Sequence, residues 1–198
     1  MAEVIIINAS YRQGGVSDQI TDVLKQTLID KKANPLVIKL RDKDIRYCSN
    51  CRSCTQENTK EPGVCVIKDD MSSIIKELEK AQAYIFIVPT NMGSATALFK
   101  TFQERLIVYG YYPWGAPAPK YKKGKLTKEA LCFSSCAAPS LIGKLFFYTA
   151  KQLKMSAKIL GAKVLQTTFI GTSCRTKAYR LSKREIRSIQ KSITRLSL

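Results

Sequence analysis

The segment EVIIINASYRQGGVS, residues 3–17, decides the fold. Glu3 to Asn8 holds an unbroken isoleucine-rich run, and a run apolar at nearly every position suits a strand buried on both faces, as at the centre of a parallel sheet. Asn8 to Ser17 then turns through two glycines into a segment whose Ile20, Val23, Leu24 and Leu28 recur at three and four residues, the period of a helix with one apolar stripe. Ser17 is placed to cap that helix, and Ala33-Asn34-Pro35 ends it.

The same alternation continues along the chain. Leu36 to Leu40 reads as strand two. Residues 41–66 show no sustained period and hold four of the seven cysteines, which marks a long functional loop. Asp69 and Asp70 favour a helix start ahead of Ile74, Ile75 and Leu78, and Ala83 to Val88 is strand three. Ser94 is read as the cap of a helix with Leu98, Phe99, Phe102 and Leu106 inward. The aromatic and basic stretch 109–125 interrupts the pattern as a loop or lid. Ala130 to Phe133 is strand four, a helix spans about Leu141 to Leu160, Val164 to Ile170 is strand five, and Ser182 with Glu185 forms a capping box for the last helix. Five strands alternating with five helices predict an α/β three-layer sandwich, a parallel sheet joined by right-handed crossovers. With 198 residues, no internal repeat and no linker, residues 1–198 are expected to form a single domain.

Composition excludes several classes. At 45% hydrophobic and 24% charged residues the chain is neither disordered nor fibrous. No apolar run approaches a membrane span. Met1 to Ser10 carries Glu3 and no basic segment, so no secretory leader is read and a cytoplasmic location is expected. The absence of histidine removes Ser-His-Asp, Cys-His and His-zinc chemistry. Net charge is +18, and residues 116–198 carry +16 of it, with Glu129 and Glu185 their only acids. That field attracts phosphates, nucleic acid or an acidic surface, or is simply a solvated face. Nucleic acid is the weakest of these expectations, because no readout motif accompanies the charge.

In an open parallel sheet ligands bind beyond the carboxyl ends of the strands, and for the order 2-1-3-4-5 the switch point lies between strands one and three. The loop after strand one places Ser10, Arg12, Gly14, Gly15, Val16 and Ser17 at a helix N-terminus, where free N–H groups and a guanidinium hold a phosphate. The plain alternative is a turn with an ordinary serine cap. The pattern is neither GxGxxG nor a Walker loop. Pro89-Thr90-Asn91-Met92-Gly93 follows strand three.

INASYRQGGVS at residues 7–17 resembles the phosphate loop of NADPH-dependent FMN reductases and iron-sulfur flavoproteins of the flavodoxin-like superfamily. VPTNMGSATALFKTFQER at 88–105 is similar to the segment that wraps the flavin ring in that family, with Asn91 at the usual aromatic position. CVIKDDM at 65–71 matches the family's lead into its second helix. The resemblance covers residues 3–106 well and the remainder by element order. It implies FMN as cofactor, with Ser10, Arg12, Gly15, Val16 and Ser17 at the phosphate, Pro89, Thr90, Asn91, Met92 and Gly93 at the ring, and Ser135 and Cys136 in a third wall.

Cys48, Cys51 and Cys54 lie two residues apart and Cys65 follows ten residues on, so three thiolates on one loop plus a remote fourth suit a 4Fe-4S cluster. A four-sulfur zinc site is chemically possible but ordinarily uses separated pairs; a reduced, metal-free loop is the other alternative. The resemblance implies an NAD(P)H-dependent oxidoreductase that passes hydride to FMN and on to a quinone, flavin or similar small-molecule acceptor. It also implies a homodimer or homotetramer. A non-enzymatic electron carrier with FMN and a cluster is the alternative, and 109–125 is expected to border the flavin pocket and steer the dinucleotide.

Overall fold

The computed structural model describes residues 2–198; Met1, the first residue of the stretch read for a leader and of the expected domain, lies outside the described residues. Five strands form one wholly parallel sheet: β1 (Glu3–Asn8), β2 (Asn34–Lys39), β3 (Ala83–Ile87), β4 (Lys128–Ser135) and β5 (Ala162–Ile170). Their spatial order is 2-1-3-4-5. β1 and β3 are covered on both faces and are accordingly apolar throughout, with Ile6, Ile7, Ile85 and Phe86 fully buried. β2 lies at an edge, which is why Pro35 is tolerated inside it and why it starts two residues earlier than the hydrophobic pattern suggests.

Six helices surround the sheet. α1 (Val16–Asp30) and α6 (Lys183–Ser192) pack Ile20, Leu24, Leu28, Ile189 and Ile193 on one face. α2 (Met71–Lys80), α3 (Ala97–Arg105) and α5 (Thr149–Ile159) pack Ile74, Leu78, Phe99, Phe102, Leu153 and Ala157 on the other. α4 (Ser140–Phe146) is separate from α5: the long helix expected over Leu141 to Leu160 breaks at Phe147, whose extended backbone lets the Tyr148 N–H donate to the Gly93 carbonyl at 2.8 Å. α4 leaves Leu141, Leu145 and Phe146 exposed. No helix of the described residues is long and apolar enough to cross a membrane.

Two caps differ from the serines read in the sequence. α1 is preceded by Gly15 and has no side-chain cap, with Ser17 buried inside its first turn. α3 is capped by Thr96, whose hydroxyl accepts from the Phe99 N–H, while Ser94 sits in a two-residue antiparallel pair (Thr90–Asn91 with Ser94–Ala95). The capping box of Ser182 and Glu185 is formed.

Candidate active site and thiol chamber

The loops after β1, β3 and β4 meet at the carboxyl edge of the sheet and are tied to one another. The Ala9 N–H donates to the Ile87 carbonyl, and the Thr96 hydroxyl donates to the Ala9 carbonyl at 2.9 Å. Thr90 shares hydrogen bonds with Ser134 at 2.9 Å and Thr149 at 2.7 Å. Gln152 Oε1 accepts from Ser94 Oγ and the Ala95 N–H, so α5 fixes the segment that begins at Pro89. Met92 stands fully exposed in a left-handed conformation (φ 50°), next to Gly93 (φ 74°). The third loop is pinned by the Cys136 N–H to the Ile170 carbonyl and the Thr172 N–H to the Ala138 carbonyl. Cys136 is buried, and burial raises its thiol pKa; Ser135 is half-buried beside it.

The loop after β1 is built around two residues that no sequence motif singles out, Asp18 and Arg41. The Asp18 carboxylate accepts from Asn8 Nδ2 at 2.8 Å, from the Gly14 N–H at 2.7 Å and from both Arg41 Nη atoms. Burial alone raises its pKa, but the Arg41 hydrogen bonds and the Gly14 N–H outweigh that and hold it below the usual carboxylate value. Gly14 adopts φ 66°, a left-handed turn that suits glycine, and this conformation points its N–H at Asp18. The first-turn N–H groups of α1 are thus left without a side-chain cap, the condition for an anion at a helix N-terminus. Ser10 Oγ exchanges hydrogen bonds with the Arg12 backbone. The exposed Arg12 guanidinium donates to the Lys177 carbonyl at 3.0 Å. Ser17 is buried within the first turn of α1.

A second site lies on the α2/α3 side. Cys48, Cys51, Cys54 and Cys65 line one chamber of about 130 Å³, together with Arg105 and Arg52. Among the described residues no three thiols or acids gather tightly enough to hold a single metal ion. A cubane places each thiolate on a different iron corner, so four thiols around a small void suit it better than they suit zinc. Arg105 is fully buried, paired with Asp69, and its Nη2 donates to Cys65 Sγ at 3.6 Å while its Nε has no partner among the described residues. A buried, partly unsatisfied guanidinium aimed at this wall suits an anionic occupant. Cys54 is pushed up to about 11 by burial and by the neighbouring thiols, whereas hydrogen bonds from Ser53 lower exposed Cys51.

The aromatic stretch 109–125 contributes Tyr112 and Pro119 to the lining of this chamber. The Tyr112 N–H donates to the Thr55 carbonyl at 2.9 Å, and Thr55 Oγ1 donates back to the Tyr112 carbonyl. The Arg52 guanidinium stacks 3.8 Å from the Tyr112 ring centre and 4.8 Å from that of Trp114. Lys122 donates to the Glu61 carbonyl and Lys123 pairs with Glu79 at 2.7 Å. The partners of these two lysines are thus the Cys-rich loop backbone and α2.

Residues 2–170 match the family model described as NADPH-dependent FMN reductase. The chain belongs to that family. It is 29% identical over 113 residues to an iron-sulfur flavoprotein of Archaeoglobus fulgidus, an alignment covering 57% of this chain and 49% of that protein. It is 28% identical over 103 residues to an iron-sulfur flavoprotein of Methanocaldococcus jannaschii, covering 52% and 51%. The matched part thus spans about half the length of these curated relatives. Among solved structures, an NAD(P)H:quinone oxidoreductase from Methanothermobacter marburgensis superposes with a TM-score of 0.67 at 16% identity, over 98% of this chain and 95% of that one. An FMN-dependent NADH-azoreductase from Bacillus anthracis, in complex with FMN, gives 0.68 at 13% identity over 98% of both chains. These likenesses establish the fold. FMN and NADPH are the groups that the family's name carries.

Proposed function

We propose that the protein transfers hydride from NAD(P)H to FMN held at the carboxyl edge, and passes the electrons on to a small-molecule acceptor such as a quinone or free flavin. The observation that carries this reading is the uncapped N-terminus of α1 behind the Gly14 turn, flanked by interlocked loops from β3 and β4. FMN supplies two-electron acceptance from nicotinamide and electron donation to the acceptor. The chain's own work is positional. First-turn N–H groups from Gly15 to Ser17, with Ser10 and Arg12, hold the phosphate. Pro89, Thr90, Asn91, Met92 and Gly93 supply backbone groups along the ring edge, and Ser135 and Cys136 form the opposite wall. No acid-base side chain is needed at this edge, in keeping with a chain that lacks histidine. Replacing Ser10 and Arg12 together by Ala removes a charge-assisted bond of about 1.5–3 kcal/mol, so FMN affinity should fall about 10- to 100-fold in a fluorescence titration. Unchanged affinity would show that the phosphate binds elsewhere.

The chamber lined by four thiols favours a second element of the reading, a 4Fe-4S cluster held by Cys48, Cys51, Cys54 and Cys65. It would supply one-electron exchange beside the flavin chemistry. An absorption spectrum of anaerobically purified protein separates flavin alone from flavin with cluster. Replacing Cys48, Cys51 and Cys54 by Ser should abolish the broad iron-sulfur absorption while NAD(P)H still reduces the flavin in stopped flow. Absence of that reduction in the intact holoprotein would favour the electron-carrier alternative. A homodimer is supported by the apolar α4 face, Leu141, Leu145 and Phe146, standing beside Gly93 and Met92.

A further inference from the structure

A further cavity lies at neither of these two places. It has a volume of about 580 Å³ and lies between α3 and α5, bordered by the Cys-rich loop and the aromatic stretch. That size is within the range of about 300–1,000 Å³ usual for small-molecule sites. We infer that it is a second ligand site, for a flat apolar ring molecule bearing hydrogen-bonding oxygens, of the quinone class.

Its chemistry selects this class. Ile107, Pro119, Met155 and Ile159 supply apolar walls and Tyr121 an aromatic one. In a chain of net charge +18 the only cation in the lining, Lys100, is paired with Glu104 at 3.2 Å. A phosphate-bearing ligand such as NAD(P)H or FMN therefore finds no unpaired positive charge in the lining itself, and the neighbouring Lys158 ammonium lies over the Tyr121 ring at 5.2 Å. Polar groups are few and placed. Gln103 spends its Nε2 on the Gln152 carbonyl at 2.9 Å and on Ser156 Oγ at 3.0 Å, which fixes the amide and leaves Oε1 as an acceptor. The Asn50 side chain makes no hydrogen bond among the described residues and offers an amide donor. One acceptor and one donor in an apolar slot match the hydroxyl of a hydroquinone and the carbonyl of a quinone.

The cavity also shares Cys48, Asn50, Ile107 and Pro119 with the thiol chamber, so a bound ring and the thiols stand on two sides of one wall. The ligand's role as electron acceptor rests on the oxidoreductase reading above; its binding does not.

The test uses the FMN-loaded full chain and duroquinone, whose four non-carbonyl ring carbons all bear methyl groups, which blocks the usual thiol addition. Oxidised, iron-free protein without NAD(P)H, in which Cys48 is a free thiol, is titrated by equilibrium dialysis, and alkylation of Cys48 by iodoacetamide is followed by mass spectrometry. Duroquinone should slow Cys48 alkylation, and Met155→Trp, which fills the half-exposed mouth of the cavity, should weaken binding more than about tenfold. FMN content and anaerobic flavin reduction by NAD(P)H should stay unchanged. Ile159→Trp, read alongside circular dichroism, repeats the test from the adjacent turn. The inference is overturned if both folded variants bind duroquinone as the parent does, or if NADP⁺ displaces the quinone. Conversion of a dimer to a monomer by Met155→Trp would equally overturn it, since the groove would then be a contact between copies. If NAD(P)H fails to reduce the flavin while duroquinone still protects Cys48, the reductase reading falls and the site stands.

Discussion

Gly63 passes so close to the Cys-rich loop that a Cβ there would lie 1.8 Å from the Cys54 carbonyl oxygen, and its N–H donates to the Val108 carbonyl at 2.8 Å. The contact is backbone against backbone, so no side-chain rotation relieves it. Gly63→Ala should therefore cost at least the ~1–3 kcal/mol typical of overpacking and open the chamber. A lowered melting temperature together with faster alkylation of Cys54 is the expected result; a parent-like Cys54 would mean that the loop can shift without strain. Asp18 is the comparable residue at the cofactor edge. Asp18→Asn removes the anion that receives Gly14 and Arg41, a loss of about 2–3 kcal/mol, and should weaken FMN binding without touching the cofactor site directly. The denaturation midpoint and the FMN titration measure the two effects separately. In the sequence Asp18 was one more acid in a helix, because nothing local shows that Arg41, 23 residues away, returns to it.

The structural elements explain why some caps were legible and others were not. Ser182 and Glu185 satisfy each other within four residues, so the capping box of α6 could be read directly, and Ser182→Ala should cost about 1 kcal/mol in a urea melt. Ser17 and Ser94 are equally good cap residues by type. Thr96 won at α3 because its hydroxyl serves both the Phe99 N–H and the Ala9 carbonyl in the loop after β1, a choice made between elements. The start of α2 depends on the same kind of link. Burial raises the pKa of Asp69, but the Arg105 hydrogen bond and the Arg46 and Met71 N–H groups outweigh it and lower it. Asp18 behaves alike. A carboxylate with a depressed folded pKa stabilises the fold above its unfolded value and loses that contribution as pH falls through the folded one. Stability should thus hold down to about pH 4 and decline below it. Asp69→Asn, followed by thermal melts against pH, should lower the plateau and flatten this acid limb; an unchanged limb would assign acid lability to other groups.

Across the whole molecule, two surface features bear on assembly. α4 leaves Leu141, Leu145 and Phe146 exposed, and the residue two after it, Tyr148, bonds Gly93; an exposed cluster of this kind is ordinarily covered by a partner. Phe146→Glu should shift the sedimentation coefficient toward the monomer while the sheet keeps its circular dichroism. A parent already monomeric at micromolar concentration would rule out the homodimer. The other feature is charge: residues 116–198 carry +16, spread over α5, β5 and α6 rather than concentrated in the lysines of 109–125. Of those four lysines, Lys123 is engaged by Glu79 and Lys122 by the Glu61 carbonyl, so neutralising these two should perturb the chamber's lid more than the binding of NAD(P)H.

The sequence by itself determined the sheet, its parallel order and the three loops at its carboxyl edge. Each of these follows from local information: continuous apolar runs for strands buried on both faces, a period of 3.6 for the helices, glycines where the chain must turn. The residues that make those loops into a site were decided only by tertiary structure. Arg41 with Asp18, Thr149 and Gln152 with the β3 loop, and Arg105 with Asp69 and Cys65 are pairs distant in sequence whose energies appear only when the strands are in register. The aromatic stretch shows the same division. Its composition announced a binding surface, but its destination was set by which backbone groups were free to pair with it, and those belonged to the Cys-rich loop.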